Sequence, residues 1–313
     1  MNHRQGFRKP FGEPAYLKSH RSGLLREKIK SAYRSLEHCT LCPRRCGANR
    51  LSGEKGVCRT GIRAAVSGYQ PHFGEEAPLV GRHGSGTIFF THCNLFCIFC
   101  QNYDISHQGI GDPASGRQLA EMMIRLQKRG CHNINLVTPS HVAPQILLAV
   151  EIASKKGLHV PLIYNTSGYD SLETLRFLDG VIDIYMPDFK FWDSKVSEKA
   201  CKAGDYSQVV RRALIEMHRQ VGDLVVDASG IAVRGLLVRH LVLPGGLAGT
   251  RSVMNFIAEN ISSNTYVNIM SQYRPCWRAD EIEALSRPVS REEYEEALEA
   301  ARAEGIVRID RQS

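Results

Sequence analysis

No stretch of this chain approaches the roughly 18 consecutive apolar residues that a membrane-spanning helix needs. The first twenty positions, Met1 to His20, are basic and polar and carry no apolar segment of the kind a secretory signal requires. Tandem repeats and low-complexity tracts are missing too. A helical membrane protein and a repeat array are thereby excluded, and a cytoplasmic protein is expected. The formal net charge is +8, yet the basic residues are scattered, with only small groups such as Arg44-Arg45 and Arg211-Arg212. An accessory nucleic-acid domain is also lacking. A solvated surface accounts for the charge, and a polynucleotide partner is not expected.

With 313 residues, 43% of them hydrophobic and 23% charged, the chain suits a soluble globular enzyme, either one large domain or a core with an appendage. Cysteine is plentiful, at ten residues, and most of it is clustered. In a chain of this length such clusters point to metal ligation in a reducing compartment rather than to a disulfide framework.

Three of these cysteines, Cys93, Cys97 and Cys100, stand with three and then two residues between them. They directly follow the short apolar run Thr87 to Thr91, which Gly84 and Gly86 introduce and which therefore predicts a buried strand. A structural zinc site takes four protein ligands, whereas three thiolates with one position open suit an iron–sulfur cubane. The loop resembles the cluster motif of the radical S-adenosylmethionine (SAM) superfamily, with Phe99 as the aromatic before the last cysteine. The continuation Gln101-Asn102-Tyr103-Asp104 is similar to that of pyruvate formate-lyase activating enzymes. The resemblance implies a 4Fe–4S cluster whose unique iron chelates SAM. It also implies reductive cleavage to a 5′-deoxyadenosyl radical, and hydrogen abstraction from a substrate. An electron donor such as flavodoxin or ferredoxin is the implied partner, and a protein substrate of the glycyl-radical kind is one candidate.

A second group, Cys39, Cys42, Cys46 and Cys58, lies within twenty residues bent by Pro43, Gly47, Gly53 and Gly56. Four thiolates at this spacing fit zinc or an auxiliary iron–sulfur cluster, and the sequence does not choose between them. Residues 1–20 read as an extended arm, 24–37 as an amphipathic helix and 59–85 as a linker. His72, Glu75 and Glu76 precede the core, where the alternatives are a fold over its mouth and, as the expectation, solvated side chains. Residues 1–85 thus form an appendage, and 86–313 the core.

The remainder alternates strand and helix. Strands are expected at 87–91, 133–137, 160–164, 181–186, 236–242 and 265–270. Helices are expected near 117–129, 142–156, 171–178, 206–221 and 249–260, with a closing helix at 292–303 and a hairpin at 223–233. This alternation predicts parallel strands with right-handed crossovers. Six strands are too few for a closed eight-stranded barrel, but they match the open (β/α)6 partial TIM barrel that the resemblance implies.

Ligands in such folds gather beyond the carboxyl ends of the strands. The second strand ends at Thr138, Ser140 and His141, where many radical SAM enzymes carry a Gly-Gly-Glu run that is absent here. The third ends at Asn165, Thr166, Ser167 and Gly168, with the glycine allowing close approach to a ligand. The fourth ends at Asp188 and Lys190, similar to the Asp-x-Lys of activating enzymes. That likeness implies SAM contacts for both residues, against the competing reading of an internal salt bridge. The fifth carries Arg239 ahead of Pro244-Gly245, a pattern whose arginine lies near SAM in the activating enzymes, and His240 faces the core. Together with Phe99 and Asn102 these are the cofactor-binding candidates. Cys131, Cys201 and Cys276 read as buried, inert thiols. The alternatives to a radical enzyme are a non-catalytic zinc or iron–sulfur electron-transfer protein, and a radical SAM RNA modifier.

Overall fold

The computed structural model describes residues 12–310. Its first half runs α1 (Ala15–Arg21), α2 (Leu24–Arg34), β1 (Ala64–His72), the single turn α3 (Ala77–Val80), β2 (Ser85–Phe90) and the single turn α4 (Tyr103–Ser106). Then follow β3 (Asp112–Ala114), α5 (Gly116–Lys128), β4 (Ile134–Val137), α6 (Ala143–Lys155), β5 (Leu162–Thr166) and α7 (Leu172–Leu178). The second half comprises β6 (Ile184–Pro187), α8 (Ser194–Cys201), α9 (Tyr206–Val221), β7 (Val225–Val226) and β8 (Ala232–Leu241). It closes with α10 (Thr250–Asn260), β9 (Tyr266–Met270), α11 (Arg291–Ala303) and β10 (Arg308–Ile309).

β2, β4, β5, β6, β8 and β9 lie side by side in chain order, every neighbouring pair parallel. Helices connect each strand to the next, as a parallel sheet demands. The sheet is open. At one edge β1 and β3 continue it in antiparallel pairing, and at the other β10 lies parallel to β9. The fold is therefore an α/β partial barrel. Capping boxes at Ser115/Gln118 and Ser290/Glu293 start α5 and α11, each satisfying amide groups that a helix N-terminus leaves unpaired.

Strand alternation divides the apolar side chains into two sets. Leu136, Tyr164, Tyr185 and Val238 face the helices and form the main core. Ile163, Ile184, Met186 and Leu237 point the other way into a smaller core closed by Leu79 of α3. Full burial of Leu79 contributes about 2 kcal/mol. The turn at 77–80 thus plugs the concave side of the sheet.

Several expectations need correcting. Residues 1–11 of the expected arm lie outside the described residues, but 15–21 are helical and anchored. The Ala15 amide donates to Asp183 at 2.7 Å, and the buried Tyr16 hydroxyl donates to the Val160 carbonyl at 3.0 Å. The 59–85 segment is no linker, because it supplies β1 and the plug. The sheet runs straight across residue 85, since His72 of β1 pairs with Ser85 of β2. The hairpin at 223–233 is present as β7 against β8.

Candidate functional site

The three-cysteine loop leaves the carboxyl end of β2, and contacts from four separate segments fix its backbone. Ile98 donates to the Ala200 carbonyl at 2.9 Å, and the Asn94 side-chain amide to the Tyr169 carbonyl at 2.6 Å. Arg44 Nε donates to the Asn94 carbonyl at 2.9 Å, and His141 Nε2 to the Thr91 carbonyl at 2.9 Å. His92, just before Cys93, has φ +65°, a conformation unusual for any side chain. Its ring packs on Gly109, where a Cβ would come within 2.2 Å of it.

The thiols meet donors. The Leu95 amide lies 3.3 Å from Cys93 Sγ, and Ser106 Oγ lies 3.0 Å from Cys100 Sγ. The buried thiol of Cys201, at the end of α8, donates to the Ser197 carbonyl at 3.0 Å and lies beside Cys97, favouring its thiolate form, while burial pushes Cys93 and Cys100 up. The Lys190 ammonium favours the thiolate form of all three. Among the described residues no three His, Cys, Asp or Glu side chains gather tightly enough to hold a single ion. A cubane does not ask for that, since it takes each thiolate on a different iron. Donor chemistry and a nearby cation fit such a cluster. Phe99 supports the loop from beneath, edge-on to Phe191 at 5.9 Å and to Tyr273 at 5.8 Å. Asn102 is exposed at the start of α4, and its carbonyl accepts from the amides of Ile105 and Ser106.

Asp188 is the hub of the strand ends. Lys190 Nζ lies 2.6 Å from Asp188 Oδ2, and Arg239 Nε lies 2.8 Å from Oδ1. Arg239 also donates to Asn165 Oδ1 at 2.8 Å. Burial alone would raise the Asp188 carboxyl, but Arg239 and Lys190 outweigh it and hold the group below the usual carboxylate range. Burial alone would likewise lower Lys190, yet Asp188 and Cys97 raise it. The internal salt bridge is thus present, and it aims both cations from one carboxylate. Strand register explains the grouping. Asn165 stands opposite Met186, Asp188 bridges to Arg239, and Arg239 stands opposite Asn268, all on the concave face.

The other candidates are structural in their contacts. Ser140 bonds Thr166 at 3.0 Å, and Thr166 and Tyr164 both donate to the buried Asp170 carboxylate. Thr138 sits half-buried at φ +59°. His141 is 1% exposed, and burial depresses its pKa to about 3, so its ring is neutral. Its Nε2 proton goes to Thr91, leaving Nδ1 as a buried acceptor without a partner. Half-buried Ser167 offers its carbonyl to the Tyr206 hydroxyl at 2.8 Å. The close approach at Gly168 is made by the protein itself, since a Cβ there would stand 2.5 Å from the Asp188 carbonyl oxygen. His240 faces the helices as expected, bonded to the Phe189 carbonyl at 2.7 Å.

Three features escaped sequence reasoning. Glu75 and Glu76 are not solvated: their side chains are buried on the concave face, reaching Asn135 at 3.1 Å and Asn268 at 2.8 Å. Glu75 also lies 3.6 Å from Arg239. Burial raises the Glu76 carboxyl, and Glu76 Oε2, Asn135 Oδ1 and Asn268 Oδ1 have no protein partner. Cys201 is not isolated, as its contact with Cys97 shows. Arg44 and Arg50 tie the four-cysteine segment to the core. A Glu-Glu pair just ahead of Pro78 was the only local signal for any of these. Two surface clefts are present, one lined by His132, His159 and Asp227, and one between α10 and α11 that reaches Val242 and Leu243 just past β8.

Among the described residues no helix is long and apolar enough to cross a membrane. The family model described as the Radical SAM superfamily matches residues 87–227. An uncharacterised protein of Methanocaldococcus jannaschii, MJ0674, is 32% identical over 299 residues, spanning 93% of this chain and 81% of that protein.

Proposed function

Because the chain belongs to the radical SAM superfamily, we propose that Cys93, Cys97 and Cys100 hold a 4Fe–4S cluster at which SAM is reductively cleaved. The observation that carries this is the set of three thiols on one loop at the end of β2, held by Ala200, Tyr169, Arg44 and His141. The chemistry such a cluster with SAM supplies when bound is one-electron cleavage of the sulfonium and removal of a hydrogen atom from the substrate.

This chain's residues perform the positioning. Lys190 and Arg239 present positive charge at the strand ends, suited to the carboxylate of the SAM methionyl group. Asp188 keeps both cations oriented and balances them until the ligand arrives. Asn165 and Ser167 offer polar groups beside them. Phe99, wedged between Phe191 and Tyr273, fixes the height of Cys100. A low-potential electron-transfer protein such as flavodoxin or ferredoxin would supply the electron. Activation of a glycyl-radical protein is the finer form of this reading. The exposed run Gln101 to Asp104, beside the loop, supports a macromolecular substrate at that rim.

The test is anaerobic reconstitution, dithionite reduction with SAM, and assay for 5′-deoxyadenosine. Release should occur, and alanine at Cys93, Cys97 or Cys100 should abolish it. Turnover retained in those variants would sink the assignment.

A further inference from the structure

The four-cysteine segment has contacts that neither the fold nor SAM cleavage requires. Between residues 39 and 63 regular structure is limited to one turn at Arg50–Ser52. The local apolar cluster contains only Leu36, Cys39 and Leu41, with Tyr33, Cys46 and Phe177 packed around it. So small an apolar interior does not offset the entropy of ordering some twenty residues, and segments of this kind are ordinarily held by a metal or by disulfides. All four cysteines are free thiols.

The backbone is shaped around those sulfurs. The chain turns tightly between these cysteines, the Arg45 amide donating to the Cys42 carbonyl at 3.0 Å and the Gly47 amide to the Cys39 carbonyl at 3.1 Å. Left-handed turns at Arg45 and Gly47, φ +40° and +70°, make that geometry reachable. Gly56 presses against two more thiols, since a Cβ there would lie 2.9 Å from Cys46 Sγ and 3.7 Å from Cys58 Sγ. A polynuclear centre takes each thiolate on a different metal and so does not require three sulfurs within reach of one ion, and no three of these thiols are.

Two arginines join this segment to the first loop. Arg50 is completely buried and donates to Cys39 Sγ at 3.8 Å, to the Gly61 carbonyl at 2.7 Å and to the His141 carbonyl at 2.9 Å. His141 in turn holds the Thr91 carbonyl, two residues before Cys93. Arg44, between Cys42 and Cys46, bonds the carbonyls of Asn94 and Cys201, both beside first-loop thiols, and stacks over Phe96 and Tyr169 at 5.2 Å.

We propose that Cys39, Cys42, Cys46 and Cys58 hold a second iron–sulfur cluster, and that this centre braces the Cys93–Cys100 loop through Arg44 and Arg50. The second half rests on the radical SAM reading, and the first half stands without it. The full-length protein would be reconstituted with iron and sulfide, and its metals counted. About eight irons are expected, falling to about four when the four N-terminal cysteines become serine. Replacing Cys93, Cys97 and Cys100 together should leave about four on the N-terminal set, whether or not SAM is cleaved. An unchanged metal count in the quadruple variant, or one zinc in place of four of the irons in the unmutated protein, overturns the second cluster.

For the brace, Arg44→Ala keeps every thiol and should retain about eight irons. It should also lose the first cluster's electron paramagnetic resonance signal severalfold faster in air. Loss at the wild-type rate overturns the brace.

Discussion

Arg239 and Asp188 stand at bridge-forming positions of neighbouring strands, and the guanidinium Nε meets the carboxylate at 2.8 Å with both side chains largely buried. Lys190 shares the same carboxylate, so one negative charge serves two cations. Removing it would leave Lys190 uncompensated and Arg239 with Glu75, at 3.6 Å, as its remaining ion pair. Asp188→Asn keeps the shape and an acceptor oxygen but loses the charge, and breaking a buried pair in this way costs about 3–5 kcal/mol. Urea unfolding should show that loss, and SAM affinity should fall as Lys190 and Arg239 lose their aim. Wild-type stability would mean that water reaches the pair.

Glu76→Gln tests the buried acid that sequence reasoning assigned to solvent. Its Oε1 accepts from Asn268 at 2.8 Å and its Oε2 has no protein partner, while burial raises the carboxyl. The amide is isosteric, retains the Asn268 contact through its oxygen and carries no charge to desolvate. The variant should therefore be as stable as the wild type or more so, by up to about 1–2 kcal/mol. A loss of stability above that size would show that the ionised carboxylate is needed, with Arg239 as its counterion.

What the sequence made legible follows from the reach of its signals. The six parallel strands and their crossover helices carry continuous apolar runs or helical periodicity, and both are local properties. The loop of Cys93 is likewise a local spacing. β1 is different: Ser67-Gly68-Tyr69-Gln70-Pro71 is polar and interrupted, and it becomes a strand only because β2 and β3 pair with it. Glu75, Glu76, Cys201 and Arg50 acquire their surroundings from residues some 10 to 190 positions away, as with Glu76 and Asn268. No window of sequence contains such a contact. Asp188, Lys190 and Arg239 were found because their strand ends follow a family pattern, yet the ion pair joining them comes from strand register.

His240 predicts an acid limb in stability. Burial depresses its pKa to about 4, with its Nδ1 proton given to the Phe189 carbonyl and Nε2 accepting from Thr250 at 2.9 Å. The folded pKa lies below the unfolded value of about 6.5, so the unfolded chain binds more protons between the two. Stability should thus fall as pH drops from about 6.5 toward 4, by about 1.4 kcal/mol per pH unit from this residue and on the order of 3 kcal/mol in all. Denaturant titrations at several pH values should show the slope, shallower by about one proton in His240→Gln. Equal slopes in the two proteins would assign the limb elsewhere.

Gly168→Ala should damage the site from behind. The residue follows Ser167 at φ +77°, in the left-handed region, which alone costs a side chain about 1–2 kcal/mol. An added Cβ would also stand 2.5 Å from the Asp188 carbonyl oxygen and 2.7 Å from Val210 Cγ2. The Val210 methyl can be removed, but the carbonyl cannot. It accepts from Tyr206, whose hydroxyl also receives the Lys190 amide at 3.0 Å. Movement of that carbonyl would therefore shift Asp188 and Lys190 together. The melting temperature and SAM affinity should fall in Gly168→Ala, and adding Val210→Ala should restore neither. Full rescue by the second substitution would place the strain in the helix contact rather than in the backbone beneath Asp188.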